Sequence, residues 1–242
     1  MLSEENRLKK ISRIYSTRRS FDKFIIKFGS AKILANSKGP SVLELGSADG
    51  LMTGILSSNF KSVHVVEASP RYVKIIKNKR LKNVKIFKCL IENFEPAKKY
   101  DDIILTRVLE HVISPREILE KVGSWIKPGG RIHIIVPNAD SLNRRVGQAM
   151  NIIKNRTDLD DHDLNMGHRR VYSLSSLSKE VNIANLKVLK KTGIFLKPLS
   201  NKQMLEWPKR IIEAFNIVGD DFPELCTEIY IVAIKNNSYK QS

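Results

Sequence analysis

The sequence predicts an α/β protein wound on both sides of a mostly parallel sheet. Three observations carry this. Five short apolar runs, 41–45, 62–66, 84–87, 100–105 and 131–136, fall in the first 138 residues, separated mostly by stretches long enough for helices. The first runs lack the apolar–polar alternation of a half-solvated strand, as expected of parallel strands covered on both faces. The first also enters a small glycine-bounded turn, Gly46-Ser47-Ala48-Asp49-Gly50, and then Leu51 to Leu56, which can open a helix. Strand, tight turn and helix form the unit from which doubly wound sheets are built.

At 242 residues the chain suits one large domain or a domain with a cap. Its 42% hydrophobic and 28% charged residues fit a folded globule. No apolar run reaches the roughly 18–20 residues of a membrane span, and Met1 to Lys10 lack the apolar centre of a signal peptide. Cys89 and Cys226 suggest neither a disulfide framework nor a zinc site and fit a reducing, cytoplasmic setting. The net charge is +17. Lysines such as Lys74, Lys77, Lys79, Lys82 and Lys85 are spread evenly, which favours compositional bias or attraction to anionic substrates. A nucleic-acid surface is the alternative.

Residues 1–39 read as a basic helical segment. Phe21, Phe24, Ile25 and Phe28 fall at i, i+3, i+4 and i+7, a stripe that faces a core. Gly29, or Gly39-Pro40, is expected to end it. Tyr15, Arg18 and Arg19 are placed to reach a ligand carboxylate, or else simply pack. After Ser41 to Leu45 and its turn, Ser62 to Val66 forms a second strand ending in Glu67. An acidic residue there, about twenty residues past the turn, is placed to accept hydrogen bonds from a ribose diol. A helix from Pro70 to Lys79 precedes the strand Val84 to Phe87, followed by Cys89, Leu90, Ile91 and Glu92. Tyr100 to Leu105 is the fourth strand, with Thr106 to His111 at its end. Pro115 opens a helix to about Ile126, Lys127-Pro128-Gly129-Gly130 turns, and Arg131 to Val136 is the fifth strand, closed by Pro137-Asn138. Residues 46–50, 67, 89–92, 106–111 and 137–138 all lie at the carboxyl edge, where such sheets bind ligands.

VLELGSADG, VHVVEAS, YDDIILTRVLEHVISP and WIKPGGRIHIIVPN together resemble, in order and spacing, the motifs of class I S-adenosylmethionine-dependent methyltransferases over residues 40–138. Thr227 to Ile234 resembles that family's last, antiparallel strand. The stretches around His168 to Tyr172 and Gly193 to Leu199 resemble a bacterial subgroup linked to sugar, surface-glycan or natural-product modification. The resemblance implies a Rossmann-like, doubly wound seven-stranded sheet with N-terminal helices and a helical cap. It implies a cofactor-binding half at 40–138, a cap at 139–174, the rest of the same domain at 175–236 and a tail at 237–242.

It also implies roles. Glu44, Gly46, Ser47 and Ala48 would hold the methionine part of S-adenosylmethionine, and Tyr15 would join the cofactor site. Glu67 would hold the ribose, with Ala68 beside the adenosine. Cys89, Leu90 and Ile91 would line the adenine. Cys89 stands where the family often has an acid, leaving that recognition to backbone groups or Glu92. Thr106, Arg107 and His111 would border the methyl group. Ala48 replaces a common glycine, which the chain tolerates if φ there is negative.

If the acceptor is a hydroxyl, a base takes its proton, and His suits neutral pH. His64 and His133 lie in predicted strands and read as structural. His168 and then His111 are the candidate catalytic residues, with His162, Arg169, Arg170 and Asn138 as substrate-binding candidates. The cluster Asp158, Asp160, Asp161, His162, Asp163 can be read as a Mg²⁺ site, but a solvated loop is favoured and no metal is expected. Arg144, Arg145, Arg169 and Arg170 either grip an anion or stand exposed on the cap. Ser175 to Ala184 reads as a helix and Leu186 to Lys191 as a strand. Residues 201–218, broken at Pro208, can wall the acceptor pocket or form a homodimer contact. The function expected is methyl transfer from S-adenosylmethionine, giving S-adenosylhomocysteine, to a small polar or anionic acceptor, through a hydroxyl of a sugar, surface-glycan precursor or natural-product intermediate. RNA methylation, N-methylation and non-catalytic cofactor binding are the alternatives.

Overall fold

The computed structural model describes residues 4–17 and 20–236. Arg18, Arg19 and the tail 237–242 lie outside them. The strands are β1 (Ser41–Leu45), β2 (Ser62–Val66), β3 (Val84–Phe87), β4 (Tyr100–Thr106), β5 (Ile126–Pro137), β6 (Leu186–Ile194) and β7 (Glu228–Lys235). They form one sheet in the order β3-β2-β1-β4-β5-β7-β6. The first five run parallel, and β7 is antiparallel to both β5 and β6. This is the seven-stranded, Rossmann-like sheet that the sequence predicts.

Both faces are covered, which is why β1 is buried at every position. Alternate side chains serve opposite cores. Leu43 and Leu45 meet Ile103, Leu105 and Trp125 on one side. That side is closed by α5 (Pro115–Trp125) and α8 (Leu174–Ile183). Val42 packs on the other with Phe21, which caps α2 (Asp22–Asn36), Ile25 of that helix and Leu56 of α3 (Leu51–Asn59). Phe21 is fully buried, and burying such a side chain contributes about 1.5–3 kcal/mol. Among the described residues, no helix is long and apolar enough to cross a membrane.

Three expectations change. Gly29 does not end the N-terminal stripe. α2 runs through it to Asn36, and the missing side chain lets Ile135 and Ile194 come within 3.1–3.3 Å of where a Cβ would stand. The turn at Lys127 to Gly130 lies inside β5, as an irregularity between the pairs Tyr100–Ile126 and Asp102–Arg131, with Gly129 at φ +76°. β6 extends beyond Lys191 to Ile194, where a Cβ on Gly193 would stand 2.3 Å from the Pro223 carbonyl oxygen.

The remaining helices frame the carboxyl edge. α1 (Glu4–Ile14) lies toward α4 (Pro70–Asn78), and α6 (Leu142–Ala149) and α7 (Asp161–Met166) follow β5. Pro208 separates α9 (Asn201–Met204) from α10 (Lys209–Val218).

Candidate active site

A cleft of ≈ 330 Å³ opens along the carboxyl edge, lined in part by Gly46, Ala48, Glu67, Leu90, Thr106 and His168. Its first wall is the turn after β1. Gly46 takes φ +70°, and a Cβ there would lie 3.0 Å from Val108 Cγ2. Ala48 also has positive φ, +46°. The condition placed on that alanine therefore fails: the chain holds it in the left-handed region at a cost of roughly 1–2 kcal/mol. Surrounding bonds fix it there. Glu67 Oε2 accepts from the Ser47 amide and hydroxyl at 3.1 Å and from the Ala48 amide at 3.2 Å. Asp49 accepts from Ser16 and Thr17, tying the N-terminal segment to the turn.

Glu67 spends one oxygen on this turn. Among the described residues its Oε1 accepts only from Ser69 N, at 2.8 Å, which leaves acceptor capacity for a hydroxyl. Glu44, at the base of the cleft, accepts from Thr53 Oγ1 at 2.6 Å, and burial pushes its carboxyl up to about 8. A cationic group beside it would restore its charge. Thr106 Oγ1 is buried without a partner. One cation-seeking acid, one acceptor with spare capacity and one orphan hydroxyl fit a ligand carrying an amino-acid end and a ribose.

Several candidates serve the scaffold instead. Arg107, at φ +55°, pairs with Asp22 at 2.9 Å and with Glu228, and donates to Tyr15 Oη at 3.3 Å. Tyr15 and Arg107 line the cleft, but within this ionic network. Lys197 lies nearby, its ammonium pushed down to about 8 by burial. Asn138 lines the cleft while its amide donates to the Glu224 and Cys226 carbonyls. Cys89 packs against the core and does not line the cleft, whereas Ala68, Leu90, Ile91 and Glu92 do.

Arg169 and Arg170 are not on the cleft wall. Arg169 donates to the His111 carbonyl at 2.8 Å and pairs with Glu4. Arg170 donates to the carbonyls of Leu109, Val112 and Ile113. Both clamp the loop that carries His111. Their expected grip on substrate gives way to a positioning role, because the carbonyls of Leu109, His111, Val112 and Ile113 need donors.

His111 and His168 meet across that loop with ring centroids 4.8 Å apart. His168 Nδ1 stands 2.8 Å from Asp163 Oδ1, and Arg144 holds the other oxygen at 3.0 Å. Asp163 also closes the capping box of α7 with Asp160. The acidic stretch is thus partly a buried anchor, correcting the solvated-loop reading at Asp163. His162 is exposed but reaches the wall. Glu110 is fully buried with neither carboxylate oxygen partnered, and burial pushes it up to about 7. Burial pushes His111 down to about 3, with His168 contributing. Glu110, Asp22 and Lys197 carry no role in the sequence reading, and Asp163 appears there only within the acidic cluster favoured as a loop; that cluster and the Glu110-His111 adjacency are the signals the sequence holds. His64 and His133 pack as expected, His133 on Asp102 at 2.9 Å and Tyr230 at 2.8 Å.

The family profile described as a methyltransferase domain matches residues 16–191. A ubiquinone biosynthesis O-methyltransferase of Coxiella burnetii is 26% identical over 174 residues, covering 68% of this chain and 71% of that protein. Among solved structures, the N-methyltransferase NodS of Bradyrhizobium japonicum, in complex with S-adenosylhomocysteine, superposes with a TM-score of 0.62 at 13% identity, covering 96% of this chain and 100% of that one. An S-adenosylmethionine-dependent methyltransferase of Leishmania major gives 0.65 at 14% identity, covering 94% and 81%.

Proposed function

The chain belongs to the methyltransferase-domain family, and on that premise we propose that it moves a methyl group from S-adenosylmethionine to a hydroxyl of a small polar acceptor. A sugar, a surface-glycan precursor or a natural-product intermediate is the acceptor class we favour. Oxygen as the target is supported by the O-methyltransferase named among its relatives. The observation that carries the reading is the Asp163-oriented imidazole of His168 on the wall of the cleft that Glu44 and Glu67 also line.

When bound, the cofactor supplies an activated methyl on a sulfonium and leaves as S-adenosylhomocysteine. Glu44 would hold the ammonium of its amino-acid end, Glu67 would accept from its ribose, and Leu90 and Ile91 would cover its base, since all four line the cleft. Methyl transfer then needs mainly alignment of acceptor, carbon and sulfur, and the acceptor must lose its proton as the bond forms. The histidine face of the cleft, His111 and His168, is where the acceptor hydroxyl is activated for that loss. The net charge of +17 suits an acceptor with an anionic group.

The test pairs calorimetry with product analysis. The purified chain should bind S-adenosylmethionine, Glu67→Ala should weaken it by at least about tenfold, the loss of roughly 1.4 kcal/mol, and mass spectrometry should find a methylated hydroxyl among a panel of polar acceptors. Absence of cofactor binding in the wild-type chain would end the reading.

A further inference from the structure

We propose that Glu110, His111 and His168 hold a divalent cation of the zinc or manganese class, and that this cation activates the acceptor hydroxyl. The proposal rests on the hydroxyl-methylating reading above. One nitrogen of each ring and a Glu110 oxygen lie within 4.8 Å of one another.

Three independent features point to a ligand there. Both Glu110 oxygens are buried, and no other described residue donates a hydrogen bond to them. An acid in that state either keeps its proton or, once ionised, needs a cation or a donor to meet it. The second feature is tautomeric. His111 Nδ1 faces the Gly167 carbonyl at 3.2 Å and His168 Nδ1 faces the Asp163 carboxylate at 2.8 Å. Those partners only accept, so each Nδ1 carries a proton and Nε2 is the ring nitrogen left to face a cation. A metal-binding histidine is held in this way, by a carbonyl or carboxylate behind it. The third is that these supports are fixed. Arg144 grips Asp163, and Arg7 and Arg169 both donate to the His111 carbonyl.

Ligand atoms around one zinc stand about 3.0–3.4 Å apart when the bonds are about 2.1 Å. The observed span is wider, and Glu110 is the ligand with room to adjust, since no other described residue donates to its carboxylate. The neighbouring guanidinium of Arg107 does not oppose a cation with its full charge, because Asp22 and Glu228 pair with it. Two nitrogens and one oxygen favour a borderline transition metal over Mg²⁺ or Ca²⁺. Three protein ligands leave positions open for the acceptor. A hydroxyl placed there loses its proton to solvent more readily. Its oxygen pair then bonds to the methyl carbon while the carbon–sulfur bond breaks and its electrons stay on sulfur.

The full-length chain is stripped with chelator, dialysed against Zn²⁺ or Mn²⁺, and assayed for bound metal by elemental analysis. Co²⁺ loading, read by its visible absorption, reports the geometry. One equivalent is expected. Glu110→Gln and His168→Gln, each checked for folding by circular dichroism, should weaken uptake at least about tenfold, with S-adenosylmethionine affinity within about twofold and the exposed Glu206→Gln, away from the cleft, unchanged. No saturable uptake, or equal uptake by wild type and both variants, overturns the proposal and leaves the histidines as a direct base. Metal uptake in a chain that binds no S-adenosylmethionine upholds the cation site and removes the methyltransferase reading instead.

Discussion

His168 Nδ1 donates to Asp163 Oδ1 across 2.8 Å, and the second oxygen of that carboxylate takes Arg144 at 3.0 Å. A carboxylate accepts from both donors at once. An amide accepts with its single oxygen and offers a donor on the other side. Asp163→Asn therefore either turns its NH₂ toward Arg144 or forces His168 into the opposite tautomer, moving the Nε2 lone pair away from the cleft. We expect kcat/KM to fall about 10–100-fold, the usual effect of losing a supporting carboxylate behind an imidazole. Steady-state kinetics and calorimetry together check this. The S-adenosylmethionine Kd should stay within about twofold, and unchanged kcat/KM would show that the orientation does not matter.

Glu44 links cofactor binding to pH. Its carboxyl is raised to about 8, by burial first and by Glu67 as a lesser cause. An acid raised in the fold keeps its proton where the unfolded chain has lost it. Stability is therefore greatest below the ordinary value of 4.5 and falls as pH rises toward 8. Glu44→Gln removes that slope, so thermal melts at pH 5.5 and pH 8 should converge, by about 2–4 °C for each kcal/mol involved. An ammonium beside Glu44 draws the acid back to its charged form. Titrating S-adenosylmethionine at pH 7 in buffers of different ionisation heat should then show release of close to one proton in the wild type and none in Glu44→Gln. Zero release in the wild type would separate Glu44 from the amino-acid end.

Ala48 is a small, correctable strain. Its φ of +46° costs a non-glycine residue roughly 1–2 kcal/mol, while glycine loses about 0.5–1 kcal/mol through the unfolded chain. The difference favours Ala48→Gly by about 0.5–1 kcal/mol, a rise in Tm of about 1–4 °C at this chain length. Cofactor affinity is expected to hold, because the Ala48 amide bonded to Glu67 is kept. A drop in Tm would mean that the alanine methyl contributes packing that outweighs the strain.

The sheet was legible because its first four strands are short apolar runs whose boundaries fall close to where the hydrophobicity changes. Glu67 was legible because twenty residues separate it from Ser47, a spacing that the strand–turn–helix unit dictates. Glu110 gave no such signal. It stands beside a histidine in a loop, and its isolation appears only when β4, α1 and the clamp of Arg169 and Arg170 are assembled. Those two arginines misled for the same reason: the carbonyls they serve are 57–61 residues away in sequence. Asp163 read as solvated because composition cannot reveal that Arg144, nineteen residues earlier, returns to meet it.

His133 and His168 make the sharpest contrast among the histidines, since both contact a carboxylate and only one lines the cleft. His133 is fully buried between Asp102 and Tyr230, and Asp102 also accepts from the Lys38 and Gly39 amides at the start of β1. Removing the ring leaves a void and two polar groups short of a partner. His133→Ala should therefore cost about 2–5 kcal/mol, from the cavity and the lost hydrogen bonds together, lowering Tm by at least about 4 °C. Below that melting point its KM and kcat should stay within about twofold of wild type, because the network lies away from the cleft. His168→Ala should show the reverse, with Tm nearly unchanged and turnover lost by about 100-fold or more. A His133→Ala chain as stable as the wild type would remove the Asp102–His133–Tyr230 network from the account of what holds β4, β5 and β7 together.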